Sequence, residues 1–454
     1  NLSESYTPVT EEEIYKAVKS LNKGKAADIF GITAEHLLHA TDELIPVLVV
    51  LMNSIFSNGT VPDCMKLGVL TPVYKKKGSS QDAKNYRGIT VTPAISKLFE
   101  CIIKDRIQPK IEMTQNNLQR GFTAKSSPLN CSLILEEYIR ESKDLKKDAF
   151  IAYLDAKSAF DVVSHASLMR KLFHIGVDGV LWKLIYSLHT DAKSMVRWGS
   201  LLSEKFDIQQ GVRQGGVLST DLYKVYVNPA LDRLCRTSLG GRIGEIDCTV
   251  PTTADDMTIL SDDPRVLQSL VAEVEDYSSM EQYLLQPAKS VVMHIKGGRK
   301  RSKVTSTDNI WTIYDEKMPV VEETTHMGIL RSSSSEEVSV TENMKKARRT
   351  LYSLMASGLH GRNGLDPETS IQLYQTYVIP VLLYGLEILL PNVKCTDMLE
   401  KMNKKFLKQI LSLSTTTADP AVYILSGTIP VEGLIHKRAL SFFGNICRLQ
   451  WDSV

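Results

Sequence analysis

The chain has 454 residues, with 54 Lys+Arg against 52 Asp+Glu, and 43% of its residues are hydrophobic. That length suits roughly two to four globular units or one large multi-part fold, and a 23% charged fraction near neutrality excludes a disordered chain. With no G-x-y period, no sustained heptad and no apolar run of about 18 residues, collagen-like, coiled-coil and membrane-spanning classes fall away. The first thirty residues hold Glu11, Glu12 and Glu13 but no apolar core, so no secretory signal is read and a soluble, intracellular protein is expected. Cys64, Cys101, Cys131, Cys235, Cys248, Cys395 and Cys447 are widely spaced without a CxxC, which argues against structural zinc and a disulfide framework. The chain opens on Asn1 rather than Met, so a piece of a longer polypeptide is expected.

In chain order, residues 9–22 predict an amphipathic helix with a Thr10–Glu13 capping box. Residues 22–31 form a Gly/Lys/Asp loop, and 33–57 a helix that Pro46 can break. The run 67–74 reads as a strand ending in Lys75, Lys76, Lys77 and Gly78. Helices are predicted over 96–111 and 128–143. Residues 150–154 are a short buried-type strand that delivers Asp155 at its exit. Ser164 caps a following helix. Residues 206–217 form a Gly-rich turn before a helix from about 220 to 236. Residues 247–262 read strand–turn–strand around Asp255-Asp256. Asp263-Pro264 then starts a helix with a cap and an N1 proline. A basic linker over 296–310, a hairpin-like stretch to 330 and helices at 341–359, 367–390, 396–413 and 431–449 complete an α+β centre with helical flanks.

Basic residues outnumber acids in 61–110 and 341–450, on either side of a comparatively acidic middle. A polyanion can be gripped by such flanks, although basic clusters are more often solvated faces. Asp255-Asp256 taken alone reads as a turn. Asp155, at the end of a buried-type strand, needs a partner or a metal. If the two strands are neighbours, converging carboxylates call for a hard divalent cation, Mg²⁺ or Mn²⁺, and two such ions can clamp an in-line phosphoryl displacement. Gly211-Val-Arg-Gln-Gly-Gly216 allows close backbone approach with Arg213 and Gln214 as donors, or is simply a tight turn. Lys75 with Arg87 can hold a triphosphate, or lie in a solvated loop. Lys289 alone is a surface lysine.

The order of these blocks says more than any one of them. KKKGSSQDAKNYRGITVT, QRGFTAKSS, LDAKSAFD, GVRQGGVLS, TADDMTIL, AKS and HMGI follow one another as in a reverse transcriptase, and the chain resembles the non-LTR (LINE-type) retrotransposon enzyme over about residues 20–395. The resemblance implies a right-hand polymerase with a small antiparallel palm sheet. Its expected divisions are a helical extension at 1–60, fingers at 61–148, a palm at 149–330 and a helical thumb at 331–454. It implies an RNA-directed DNA polymerase that adds dNTPs to a DNA primer on an RNA template, with two Mg²⁺ ions (Mn²⁺ as a substitute) on Asp155, Asp255 and Asp256, in target-primed reverse transcription.

Residue by residue, the resemblance makes Phe160 the ring that excludes a 2′-hydroxyl and sets Lys75 and Arg87 on the incoming triphosphate. Arg213, Gln214 and Gly215 would touch the nascent pair and template, and Lys289 would stand near the leaving pyrophosphate. Lys345, Lys346, Arg348 and Arg349 would follow the duplex by shape and charge. It further implies a nuclear and cytoplasmic protein, with no membrane partner, whose endonuclease domain lies outside this piece. Three single positions and one block depart from the family pattern. Thr253 replaces an aromatic residue, Gly216 to Thr220 differ from Cys-Pro-Leu-Ser-Pro, Gly88 replaces Pro, and Gln286 replaces Asn. The alternative these departures raise is a nucleic-acid-binding remnant with impaired catalysis.

Overall fold

The computed structural model describes residues 6–76, 78–298, 311–335, 337–359 and 364–449. Lys77 and most of the basic linker, residues 299–310, therefore lie outside the described residues. The first helix, α1 (Glu11–Ser20), has the predicted capping box: Glu13 N donates to Thr10 Oγ1 at 3.2 Å, and Thr10 N donates to the Glu13 carboxylate at 3.0 Å. The helix predicted over 33–57 is two, Ala34–His39 and α2 (Thr41–Asn58). The break falls at Ala40 and Pro46 is carried inside α2, so the proline is not the interruption.

Two sheets position everything that follows. In the first, β1 (Leu67–Tyr74) pairs antiparallel with β2 (Tyr86–Val91), setting Val73 opposite Arg87. After β2 comes α3 (Ala94–Thr114), then α4 (Pro128–Asp144) and the strand β3 (Ala149–Leu154). Helix α5 (His165–His174) follows, capped as expected by Ser164. Next, β4 (Lys193–Trp198) pairs parallel with β1, and the short β5 (Leu201–Leu202) and β6 (Phe206–Asp207) pair with β4. These strands pair across the expected cut at residue 149. Residues 193–207 share backbone hydrogen bonds with the 67–91 sheet, because a parallel partner for β1 can only come from a distant segment.

The second sheet has the order β9–β3–β8–β7, with β7 at Thr252–Thr253, β8 at Asp256–Ser261 and β9 at Val291–Ile295. Between its strands run α6 (Ser219–Thr237) and α7 (Pro264–Glu281). Every residue of β3 is buried, as its continuous apolar pattern predicts. Alternate side chains divide between two cores. Phe150, Ala152, Leu154, Met257 and Ile259 join the main core with α6 and α7. Ala149, Ile151, Tyr153, Leu260 and Met293 meet Leu135, Tyr138 and Ile139 of α4 on the other face. Each such fully buried large side chain contributes about 1.5–3 kcal/mol, so the sheet is a stiff mount.

Beyond it, Glu323–His326 and Ile329–Ser332 form a hairpin, with a smaller one at Thr312–Ile313 and Glu316–Lys317, where a single hairpin-like stretch was predicted. The C-terminal helices Glu337–Ala356, Val393–Ile410 and Val431–Ile446 surround a separate core that includes Leu351, Tyr374, Leu399 and Phe406. The single helix predicted over 367–390 is broken into short pieces. Pro380 lacks an N–H, and Gly385 takes φ +78° where a Cβ would come within 2.6 Å of Ile329. The buried Arg331–Glu136 pair, 2.6 Å apart, ties the 323–332 hairpin to α4. No helix among the described residues is long and apolar enough to cross a membrane.

Candidate active site

Asp155 leaves the end of β3, and Asp256 opens β8. The antiparallel register that sets Met257 against Leu154 brings Asp255 and Asp256 to the Asp155 end of the sheet. The turn between β7 and β8 carries Ala254 at φ +59°, a left-handed conformation uncommon for a side-chain-bearing residue. It is held from outside. Gln119 Nε2 donates to Ala254 O at 3.2 Å, and Gln119 Oε1 accepts from Ala254 N at 2.9 Å and Gly121 N at 2.8 Å. Arg120 N donates to Thr252 O at 2.8 Å, so the 118–121 segment lies along β7 like a further strand. A Cβ on Gly121 would stand 2.1 Å from Ala254 N, which is why this position is glycine. Gln119 lies within the QRGF block noted in the sequence, but no role was assigned to it. A buried amide 135 residues from its partner has no local signature.

Asp155 is gripped on both sides. Its carbonyl accepts from Gln286 N at 2.9 Å, and its N–H donates to Ser290 Oγ at 3.0 Å. Its carboxylate Oδ2 accepts from Gln286 Nε2 at 2.7 Å, and Lys289 Nζ stands 3.9 Å from the same oxygen. The glutamine that departs from the family pattern thus still reaches the carboxylate. Burial raises the Asp255 pKa, the Asp155 charge adds to the rise, and Arg87 opposes it. Asp256, exposed along one edge, is pushed up to about 6 by desolvation and then by Asp255 and Asp155.

The rest of the expected site divides. Phe160 is half-buried, stacked on Tyr223 at 4.7 Å and edge-on to Phe122 at 6.2 Å. Lys75 and Arg87, both exposed, reach the site from β1 and β2 through charge: Asp161 feels Lys75 and Asp255 feels Arg87. Gln214 O accepts from Thr90 N at 2.7 Å. Gly215 sits at φ +118° with Thr90 O only 2.5 Å from where a Cβ would be, so the loop needs glycine there. Beside Asp161 and Gln214 opens a cavity of about 910 Å³, walled by Tyr86, Gly88, Thr90 and Trp198 from one sheet face.

Arg213 departs from the expectation of a substrate donor. Its guanidinium turns inward, donates to Lys66 O, and lies near the buried Glu100. Glu100 itself was missed. Its carboxylate accepts from Val217 N at 2.6 Å and Leu218 N at 3.1 Å, so it caps the start of α6 and sets the glycine turn.

Among the described residues no group of three His, Cys, Asp or Glu side chains is arranged to hold a metal ion, so Asp155, Asp255 and Asp256 are not gathered as the expected trio of ligands. The residues nevertheless fit a divalent cation. Mg²⁺ is ordinarily held by one or two carboxylates, with water and substrate phosphates completing the shell. Asp255 is a desolvated carboxylate that the Asp155 charge further opposes, a repulsion that an ion would relieve.

Over most of its length the chain is similar to known proteins. A model of the family described as reverse transcriptase (RNA-dependent DNA polymerase) matches residues 74–337. A Pol polyprotein from the type-1 retrotransposable element R2 of Popillia japonica is 26% identical over 92% of this chain and 57% of its own length. The RNA-directed DNA polymerase from mobile element jockey of Drosophila funebris is 25% identical over 84% of this chain and 41% of its own. The chain therefore spans about half the length of these relatives. Among solved structures, apo telomerase from Candida Tropicalis superposes with a TM-score of 0.45 at 10% identity, covering 89% of this chain and 71% of that one. The chain belongs to the reverse transcriptase family, a right-hand α+β polymerase fold, and within that family it resembles the enzymes of non-LTR retrotransposons.

Proposed function

We propose that the protein is an RNA-directed DNA polymerase that extends a DNA primer 3′-hydroxyl with dNTPs on an RNA template. The observation that carries this reading is the convergence of Asp155 and Asp255 at one end of a buried sheet, each raised or restrained by named neighbours, inside the residues that match the family. Divalent cations, Mg²⁺ first, held by Asp155 and Asp255 would lower the pKa of the attacking hydroxyl and offset charge on the leaving pyrophosphate. Asp256, at the edge, contributes field more than a bond. Gln286 fixes the Asp155 carboxylate, and Lys289, 3.9 Å from the same oxygen, would give a proton to the departing pyrophosphate. Lys75 and Arg87 bind the triphosphate. The Phe160 ring, backed by Tyr223, closes the space a ribose 2′-hydroxyl would need. Gly215 lets the backbone approach the nascent pair. The cavity by Trp198 and Gln214 receives the template.

In this reading the palm is the β9–β3–β8–β7 sheet with α4, α6 and α7. The fingers comprise 61–127 together with the 193–207 strands, and the thumb begins with the helix Glu337–Ala356, whose Lys345, Lys346, Arg348 and Arg349 follow the duplex. Retrotransposition is the setting that the relatives' names suggest, and target-primed synthesis is the form of it proposed for this chain. The test is incorporation of labelled dNTP on a primed RNA template with Mg²⁺, beside Asp255→Asn. Incorporation that the substitution abolishes supports the assignment. Hybrid binding without incorporation by the parent protein would overturn it in favour of a binding-only remnant.

A further inference from the structure

The mechanism leaves Arg120 without a task. The residue is only 7% exposed, and its buried Nε has no hydrogen-bond partner among the described residues. Burial lowers its pKa, and the one neighbour whose charge it feels is the Cys131 thiol. A guanidinium keeps its proton in a protein, so it cannot escape desolvation by neutralising. A buried unpaired cation is tolerable where an anion comes to it.

Its position says which anion. Arg120 N is bonded to Thr252 O, three residues before Asp255. Cys131 lies in the first turns of α4 and donates Sγ to the same carbonyl at 3.2 Å. The Arg120 backbone and the Cys131 thiol meet at one carbonyl, and the guanidinium, whose charge Cys131 feels, lies near the N-terminal end of a 17-residue helix that Ser127 and Asn130 cap and whose dipole adds positive potential. Thr253 Oγ1 is buried there beside the Cys131 thiol. A buried arginine with an orphaned Nε and a helix N-terminus thus lie together at the foot of the strand that leads into the Asp255 turn.

We propose that Arg120 and the N-terminal turn of α4 bind a phosphodiester of the primer strand, within the last few linkages behind its 3′ end. The inference rests on the polymerase reading. The strand whose hydroxyl must reach Asp155 and Asp255 is the one that passes the segment feeding Asp255. The incoming triphosphate is served from the other lobe by Lys75 and Arg87, and the template is separated from this spot by the width of the duplex. The small Thr253 leaves the cation, rather than a ring, to hold the primer.

The test is equilibrium binding of the full chain to a primed RNA–DNA hybrid without dNTP. The parent, Arg120→Gln and Arg120→Lys are compared on primers carrying one neutral methylphosphonate at each of the last few linkages. Arg120→Gln should weaken binding about tenfold and lower the salt slope by about one. One methylphosphonate position should produce the same loss in the parent and no further loss in Arg120→Gln. Arg120→Lys should keep most of the affinity. Parent-like affinity and salt slope for Arg120→Gln would overturn the site, as would losses that add at every linkage, which mark a merely structural arginine. Full coupling at one linkage in a chain that incorporates no dNTP would leave the site standing and overturn the activity instead.

Discussion

Gln286 Nε2 donates to Asp155 Oδ2 at 2.7 Å, across 131 residues of sequence. The residue that departs from the family pattern thus reaches the carboxylate that the mechanism needs most. Removing this amide with Gln286→Leu should free the Asp155 carboxylate to rotate. We expect kcat for dNTP addition to fall about tenfold or more, because catalysis is sensitive to misplacement at the reacting centre. Hybrid affinity should be unchanged, and steady-state kinetics alongside equilibrium binding separate the two.

The turn before Asp255 offers a sharper test. Gly121→Ala places a methyl 2.1 Å from Ala254 N, so the backbone must move. Overpacking of this kind costs about 1–3 kcal/mol, and the displaced Asp255 should lose about a hundredfold in activity. Gln119→Leu, which keeps volume but deletes the bonds to Ala254, should lose activity with a smaller fall in Tm. Activity near the parent's in both variants would show that the turn is not held this way.

Asp256 gives a pH signature. Its folded pKa, about 6, lies above the ordinary carboxylate value, so between roughly pH 4 and 6 the folded state binds more protons than the unfolded. Stability therefore falls as pH rises through that window. Asp256→Asn should raise Tm at pH 7.5 and change it little at pH 4. Mg²⁺ should likewise raise the parent's Tm at pH 7.5, by binding the native carboxylates. Melting curves at the two pH values check both statements.

Phe160 lies between Phe122 and Tyr223, and in the proposed function its ring is the bulk that would face a nucleotide sugar. Phe160→Ala should raise rNTP incorporation at least tenfold relative to dNTP, read as the ratio of kcat/KM values. Equal use of rNTP and dNTP by the parent would remove the gate assignment.

The carboxylates were legible because each marks the end of a locally recognisable strand. A buried apolar run ends at Asp155, and two β-like runs flank Asp255-Asp256. The Thr10–Glu13 and Ser164 caps were legible for the same reason: their partners lie three residues away. The order of the motif blocks carried the family. What lay out of reach was whatever depends on residues far apart in sequence. Gln119 on Ala254, Glu100 on Val217 and Leu218, and the parallel pairing of 193–198 with 67–74 exist only once the chain has closed on itself. Arg213 shows the limit best. Its residue type and glycine setting suit a ligand donor, yet the folded chain turns it inward toward Lys66 O and Glu100, while Arg120, in a block read only as a motif, is left unpaired. Local pattern determines which residues can form a strand end, a cap or a turn. Which polar side chains are satisfied by the protein, and which are left for a ligand, is decided by burial and long-range hydrogen bonding, and these belong to the tertiary structure alone.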